Sequence, residues 1–436
     1  MQLLKLYILL FILASFHSEW IRAQETYSYE QFINAMLEND FGIQLVKNEV
    51  QITQNENNIG NAGYLPRISL DARQDLTINS ARQEFLGGQT NEADNAQNRA
   101  FDAGAMLEWT FFDGFRMFAT DKKLNELSNA AKIRLQAEIE MKVFEASITF
   151  YNYLALKELE ETYLLAMELS RERMNYIATR KSKGAASEVE LLQSKLDISA
   201  DSSLYLDNLK ELEQLKTTLA TYLNLETEEI NLGGELPKDS PFYSWEQILD
   251  KLRSQNTSLL ATKSQIAIAE QEKKEAKGSF YPQLGIYANY HFNSAQNEVG
   301  FLLSNRVYGP SFGIMARWDI IDRLARYTEL KNANLRLENA ELQQKEEERW
   351  VSSEAKQLFT EYKWTKEKLA LETANIETTE QIAAIASESF RLGAISPFEL
   401  REIQFGIVAA QQRLIQAKLA TINARLNLSL LMGEIK

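Results

Sequence analysis

The sequence predicts a mostly α-helical, internally duplicated chain in which four β-strands sit between long helical hairpins. Three observations predict it. Between Asp113 and Ser182 there is no proline and Gly114 is the only glycine, and a second long helical stretch runs from Asp322 to Leu392. Four segments of about 12 residues alternate apolar and polar side chains at period two, the signature of a strand with one oily face. Landmarks recur at fixed spacing: Gly184 and Gly393, Ser187 and Ser396, and Leu191 and Leu400 are each 209 residues apart.

Composition narrows the function. The net charge of -14 argues against a nucleic-acid partner, because a phosphate binder needs a basic face. There is no cysteine, which excludes disulfides, thiolate metal sites and cysteine nucleophiles. The two histidines are His17 and His291. His17 falls in a segment read as removable, so a histidine-based triad or zinc site would rest on His291 alone. The sequence therefore predicts no enzyme, no cofactor and no metal site.

Residues 1–23 read as a secretory signal: Lys5, an apolar run from Leu6 to Phe16, then Ile21–Arg22–Ala23 with a small residue at the cut. No later run approaches the roughly 18–20 apolar residues of a spanning helix. If the exported chain crosses a membrane, it must do so as strands.

In order, the first repeat is assigned to residues 24–230. A helical pattern over Phe32, Ile33, Met36 and Leu37 ends near Tyr64–Leu65–Pro66. A strand at 66–79 puts Ile68, Leu70, Ala72 and Leu76 on one face. Ser80 to Ala100 is polar with Gly87–Gly88 and reads as a long exposed loop. The second strand, 101–112, carries Phe101, Ala103, Ala105, Leu107, Trp109 and Phe111 on one side. The long helix covers 113–183, roughly 105 Å at 1.5 Å per residue. Its 4-3 stripe of Ala137, Met141, Phe144, Ile148, Tyr151 and Ala155 reads as a coiled-coil seam. A tip at 183–188 leads to a return helix at 188–226.

A breaker-rich linker, 231–243, precedes the second repeat at 244–436. Ser244 and Pro282 match Ser28 and Pro66 at an offset of 216. Strands at 282–293 and 307–320 flank a loop, Ser294–Arg306. The offset then falls to 209 because the second strand–loop–strand unit is shorter, and loops are where insertions belong. A long helix, 322–392, a tip, 392–397, and a return helix, 397–432, close the repeat. The return helix keeps 4-3 spacing through Ile403, Ile407, Ala410, Leu414, Ala417, Thr421, Ala424, Leu428 and Leu431, which is helix packing.

Lengths suggest an assembly. Strands of about 12 residues approach the 9–11 that cross a bilayer when tilted. Four strands cannot close a barrel, and an open edge is not tolerated in lipid. Two chains would supply eight strands, whose interior fills with side chains; three would supply twelve and leave a lumen. A homotrimer is the inference, although strand number by itself leaves the number of chains open. The competing reading is a soluble periplasmic coiled-coil adaptor or scaffold. The apolar strand faces with Trp109, Phe111, Phe312 and Trp318 weigh against it.

At the second tip, Arg391–Leu392–Gly393–Ala394–Ile395–Ser396–Pro397–Phe398–Glu399–Leu400 is close to an arginine–x–glycine–x–x–serine–x–x–acid–leucine pattern. With the duplicated order of elements, the whole exported chain resembles the TolC-type outer-membrane efflux proteins. The resemblance implies a shared trimeric twelve-stranded transmembrane barrel continuing into a periplasmic α-helical tunnel. It implies a passive conduit in the cell outer membrane, contacting outer-membrane lipid and working with a periplasmic adaptor protein and an inner-membrane transporter in efflux or type I secretion. It also implies a periplasmic gate of acidic rings at Glu399 and Glu402, with Glu190 in the matching place of the first copy. The adaptor-docking tips would be Gly184, Ala185, Ser187, Leu191, Gly393, Ala394, Ser396 and Leu400. The chain departs from some relatives in having Ile395 where they carry a basic residue; Arg401 is a basic side chain that could take its place. No methionine or histidine cluster points to copper or silver cargo.

Overall fold

A computed structural model describes residues 26–227, 230–237, 242–300 and 302–435; the signal segment 1–23 lies outside them. In chain order the described elements begin with β1 (Thr26–Tyr27), α1 (Tyr29–Asn39), α2 (Phe41–Glu56), β2 (Arg67–Glu84) and β3 (Thr90–Phe112). There follow α3 (Arg116–Ser182), α4 (Glu188–Tyr222), β4 (Asn231–Leu232), α5 (Trp245–Gln255) and α6 (Thr257–Gly278). The chain ends with β5 (Gln283–Asn297), β6 (Ser304–Arg317), α7 (Ala325–Arg391) and α8 (Pro397–Leu431).

The second half repeats the first in bonding as well as in order. Helices α3 and α7 are each 67 residues long, and α4 and α8 are each 35. At the strand-to-helix junctions Asp113 accepts from the Met117 amide and Asp322 from the Arg326 amide. The two residues after each aspartate are left-handed: Gly114 and Phe115 at φ 76° and 69°, Arg323 and Leu324 at 57° and 66°. Trp109 donates its indole N–H to the Tyr64 carbonyl at 2.9 Å, and Trp318 donates to the Phe280 carbonyl at 3.2 Å. α1 and α5 both open on a capping box, built on Ser28 with Gln31 and on Ser244 with Gln247.

The described chain separates into two compact units. One takes Asn48–Arg134 and Ser258–Glu347; the other takes the described parts of Met1–Lys47, Leu135–Thr257 and Glu348–Lys436. Each draws on both repeats.

The first unit holds a four-stranded antiparallel sheet in the order β2-β3-β5-β6, so β2 and β6 are its edges. The register stacks the apolar positions in rows across the sheet. Ile68 faces Leu107, Leu107 faces Ala288, and Ala288 faces Phe312. The next same-face rows are Leu70, Ala105, Tyr290 and Pro310, then Ala72, Ala103, Phe292 and Tyr308. On the opposite face lie Arg67, Asp71, Arg73, Asp102, Glu108, Asn289, His291 and Asn293. The oily face is bare in the single chain: Leu70 and Phe312 are each 82% exposed and Ile314 78%. Along β6 it runs from Tyr308 to Ala316, and with tilt such a stretch spans about 20–25 Å. Aromatic side chains mark its ends, Tyr308, Phe292 and Phe101 at one, Trp109 and Phe111 at the other.

Two loop expectations are corrected. Ser80 to Ala100 is not a loop: β2 runs on to Glu84, β3 starts at Thr90, and Arg82 pairs with Glu92 across the ribbon at 2.8 Å. Likewise β5 extends to Asn297 and β6 starts at Ser304, while β6 ends at Arg317 rather than residue 320. These extensions are held by backbone ladders with polar side chains on both faces, so no apolar alternation marks them.

In the second unit a core joins Phe32, Ile33 and Met36 of α1 to Val143, Ala146, Phe150 and Leu154 of α3 and to Leu212 and Leu219 of α4. Ile230, Leu232 and Ile435 complete it. Parallel pairing of β1 with β4, Thr26 to Asn231 and Tyr27 to Leu232, was not legible in the sequence. The α3 seam is met in part: Ala155 is buried and Phe144 and Tyr151 pack against this core, but Met141 is 44% exposed and Val143, Ala146 and Phe150 form a buried stripe beside it. Two apolar stripes lie side by side on α3, and the docking of α1 decides which is covered. On α8 the expected stripe is buried from Ala410 through Leu414, Ala417, Thr421 and Ala424 to Leu428.

The paired junctions make a prediction. A Cβ on Gly114 would lie 2.2 Å from the Gly278 carbonyl oxygen and 2.7 Å from the Tyr281 Cβ. Gly114→Ala therefore lowers the yield of folded chain, read as weaker helical circular dichroism and a lower Tm than the wild type. Its counterpart Arg323 carries a side chain at positive φ, and Arg323→Gly is expected to be neutral or stabilising by up to about 1 kcal/mol.

Candidate functional site

The α3–α4 and α7–α8 turns are built alike. At the first, the Gly184 amide donates to the Lys181 carbonyl and the Ala185 amide to Arg180, both at 2.9 Å. At the second, Gly393 donates to Phe390 at 2.9 Å and Ala394 to Ser389 at 2.8 Å. This is the Schellman arrangement, which needs a left-handed residue after the helix. Gly184 and Gly393 supply it at φ 75° and 72°, and nothing lies within 4 Å of the Cβ each lacks.

Ser187 and Ser396 then cap the return helices. The Ser187 amide donates to the Glu190 carboxylate at 2.6 Å and the Glu190 amide to the Ser187 hydroxyl at 3.1 Å. Ser396 and Glu399 repeat this at 2.7 and 3.2 Å. Pro397 opens the helix. These backbone hydrogen bonds hold both carboxyls below the usual glutamate range, so both are ionised at neutral pH. Two of the three expected gate residues thus stand beside their own tip, each fixed by its cap. Glu402, one turn further along α8, is exposed.

The expected docking residues divide. Gly184, Ala185, Ser187, Gly393, Ala394 and Ser396 are exposed, and Leu191 is half-buried. Leu400 is corrected: it is 5% exposed, packed with Ala386 and Phe390 and flanked by Ile395 and Ile403. It seats α8 on α7 and presents nothing to a partner. The exposed apolar side chains at the tips are Val189 at 74%, Leu392 at 76% and Phe398 at 73%. Sequence reasoning missed them because it sought leucines matched between repeats, whereas these lie outside the buried stripe.

Above the tips, charged and polar side chains tie the two hairpins together. Arg401 of α8 makes a bidentate pair with Asp201 of α4, both bonds at 2.8 Å. Ser170 of α3 donates to Asp201 at 2.6 Å and accepts from Arg401 at 3.3 Å. Arg173 of α3 donates to Gln404 of α8 and to Asp197 of α4, each at 2.7 Å. The group is buried: the side chains of Arg173 and Asp201 are 2% and 5% exposed. Two arginines balance two aspartates, so the desolvated charges are paired. Burial draws the Arg173 guanidinium below its usual range, while Asp197 works to restore it. Further along, Gln412 donates to the Tyr163 hydroxyl and Lys418 to Glu158, both at 2.6 Å. Arg401 is therefore engaged, with Asp201 and Ser170 rather than with the tip. The remaining members escaped sequence reading because they come from three helices at spacings with no motif. The one signal was polar residues such as Ser170, Arg173 and Gln404 interrupting helical stripes.

Among the described residues no group of His, Cys, Asp or Glu is arranged to hold a metal ion, and no helix is long and apolar enough to cross a membrane.

With this geometry in hand, three comparisons bear on the chain. Residues 248–434 match the family model described as outer membrane efflux protein. The pyoverdine export outer membrane protein OpmQ of Pseudomonas aeruginosa is 22% identical over 403 residues, 86% of this chain and 78% of the relative. OpmQ of Pseudomonas putida is 22% identical over 312 residues, 68% of this chain, and that match spans 63% of the relative's length. Among solved structures, the Campylobacter jejuni CmeC outer membrane channel superposes with a TM-score of 0.78 at 15% identity, over 95% of this chain and 88% of the channel. At that identity the likeness is one of fold.

The caps carry a pH prediction. Because the carboxyls of Glu190 and Glu399 are depressed in the folded chain, their contribution is present above the unfolded glutamate value, near 4.3, and lost as pH falls through the folded value. Amide exchange at 184–191 and 393–400, corrected for intrinsic rates, should accelerate below about pH 4. Glu399→Gln, which keeps the capping geometry without the charge, should flatten that response at the second tip.

Proposed function

We infer that this chain, a member of the outer membrane efflux protein family, is the outer-membrane channel of an efflux system. It conducts solutes passively outward from the periplasm. The observation that carries this reading is the sheet: one face with a bare apolar band, the other polar, and the outer edges of β2 and β6 unpaired within the chain. A soluble scaffold would have no use for an exposed apolar band that reaches from Leu70 on one edge strand to Phe312 and Ile314 on the other. Three copies joined edge to edge would give twelve strands, lipid outside and water inside. The helical hairpins would form the periplasmic tunnel. Channels of this family work as trimers with an adaptor and an inner-membrane pump, and pyoverdine export by the two relatives supports outward transport as the direction.

The gate is proposed at the tips. Three-fold repetition of Glu190, Glu399 and Glu402 would set rings of like charge at the periplasmic entrance, attracting cations and resisting close approach. The tie of Arg401 to Asp201 and Ser170, with Arg173 to Asp197 and Gln404, is proposed as the lock that keeps the α7–α8 hairpin against α3–α4. It stands where a basic residue at position 395 is lacking. The docking face for the adaptor is proposed to combine the small exposed residues Gly184, Ala185, Ser187, Gly393, Ala394 and Ser396 with Val189, Leu392 and Phe398. Small residues permit close approach and the apolar side chains supply burial. Leu191 borders this face. Catalysis has no part in the reading, which the likeness to channels supports.

Three measurements test it. Purified protein should behave as a heat-resistant outer-membrane trimer that conducts in planar lipid films; a water-soluble, non-conducting rod would overturn the conduit. Asp201→Ala takes from Arg401 its bidentate partner and from Ser170 its acceptor, at a cost of about 3 kcal/mol, and should raise channel opening. Unchanged opening in a folded trimer would remove the lock. Ser187→Cys and Ser396→Cys should crosslink to the adaptor, and silence at both positions would remove the docking face.

A further inference from the structure

The polar face of the sheet carries a feature the efflux reading does not use. His291 on β5 stands opposite Gly104 on β3 and opposite Gly309 on β6. Neither neighbouring strand offers a side chain at that level, so the imidazole has room on both sides. Its Nε2 lies 3.7 Å from an Asp102 carboxylate oxygen, and the same oxygen accepts from the Asn293 side-chain amide at 2.5 Å. Asp71 pairs in register with Gly104 from the other side. Its carboxylate oxygens lie 3.6 and 3.7 Å from where a Gly104 Cβ would stand, so Asp71 leans into the space the glycine leaves. Other charged groups on this face are Arg73 on the row of Asp102, Arg67 and Glu108 two rows the other way, Asp75, and Arg317 at the end of β6. Arg73 is turned to Asp75 at 2.6 Å, and β6 contributes no charge between Val307 and Met315.

We propose that the layer of His291, Asp102 and Asp71 is a selectivity level of the pore, favouring cations, with a strength set by pH. The inference rests on the conduit reading, which turns this face to the water-filled lumen. With imidazole neutral, each chain contributes two negative charges at this level. With imidazole protonated it contributes one net negative charge. Three chains would thus change the layer by three charges over one titration. His291 is the only histidine outside the N-terminal 23 residues, so no other imidazole shares the signal.

The test is the reversal potential of the full-length oligomer in planar lipid films under a potassium chloride gradient, compared at pH 8 and pH 6. Three charges at roughly 10 Å, screened at about 0.1 M salt, shift each ion about two-fold in opposite directions and so change the preference for potassium over chloride by about four-fold. The wild type should lose that factor on going to pH 6. His291→Gln should show the same preference at both pH values. Asp102→Asn should lower the preference at both while keeping the drop. Where His291→Gln does not assemble, diethyl pyrocarbonate on the wild type should abolish the pH response and hydroxylamine should restore it. Wild-type channels whose preference is equal at both pH values, or a His291→Gln channel that keeps the drop, overturn the proposal. Films that never conduct overturn the conduit reading and this inference with it, an outcome distinct from channels that conduct and ignore pH.

Discussion

A sheet with two unpaired edges and one bare apolar face cannot be the end state of this chain in lipid. Each unpaired backbone group in hydrocarbon costs several kcal/mol, and β2 and β6 each present a full row of them. Water does not suit the sheet either, because Ile68, Leu70, Phe312 and Ile314 form a continuous oily surface. Both demands are met together when copies of the chain meet edge to edge. The aromatic side chains at the ends of the apolar band and the polar opposite face fit that requirement.

The helices answer a different demand. α3 and α7 run for 67 residues each, far longer than one hydrophobic core can cover. Packing accordingly changes character along them. In the neighbourhood of Phe32, Phe150 and Leu219 it is fully apolar. Toward the tips the hairpins meet through Lys418 and Glu158, Gln412 and Tyr163, and the buried group of Arg173, Asp197, Asp201 and Arg401. Apolar seams hold in many registers with little penalty, whereas a bidentate arginine–aspartate pair holds in one. A polar seam suits a junction that must close in a single arrangement and open without exposing a wide oily strip.

At the tips one set of residues closes the caps and, in the gate proposed above, would also supply the charge. Glu190 and Glu399 complete capping boxes, which is reason enough for a glutamate three residues after a serine. The same bonds keep both carboxylates ionised and aimed at the turn, where three-fold repetition would gather them. Leu400 shows the converse: its match to Leu191 drew attention to it as a surface residue, yet the position belongs to the packing of α8 on α7.

Local chemistry was legible in the residues themselves. Period-two alternation located the apolar parts of all four strands, the lack of proline located both long helices, and the Gly–Ser–Glu spacing located both tips and their caps. Those features are decided within a few residues of chain, by backbone conformation and side-chain periodicity. What lay out of reach depended on neighbours distant in sequence: the polar extensions of β2 and β3 sustained by ladder bonds alone, the choice between adjacent stripes on α3, the pairing of β1 with β4, and the meeting of Arg401 with Asp201 across 200 residues. Charge balance in a buried group is a property of three helices at once, and no single helix carries a record of it.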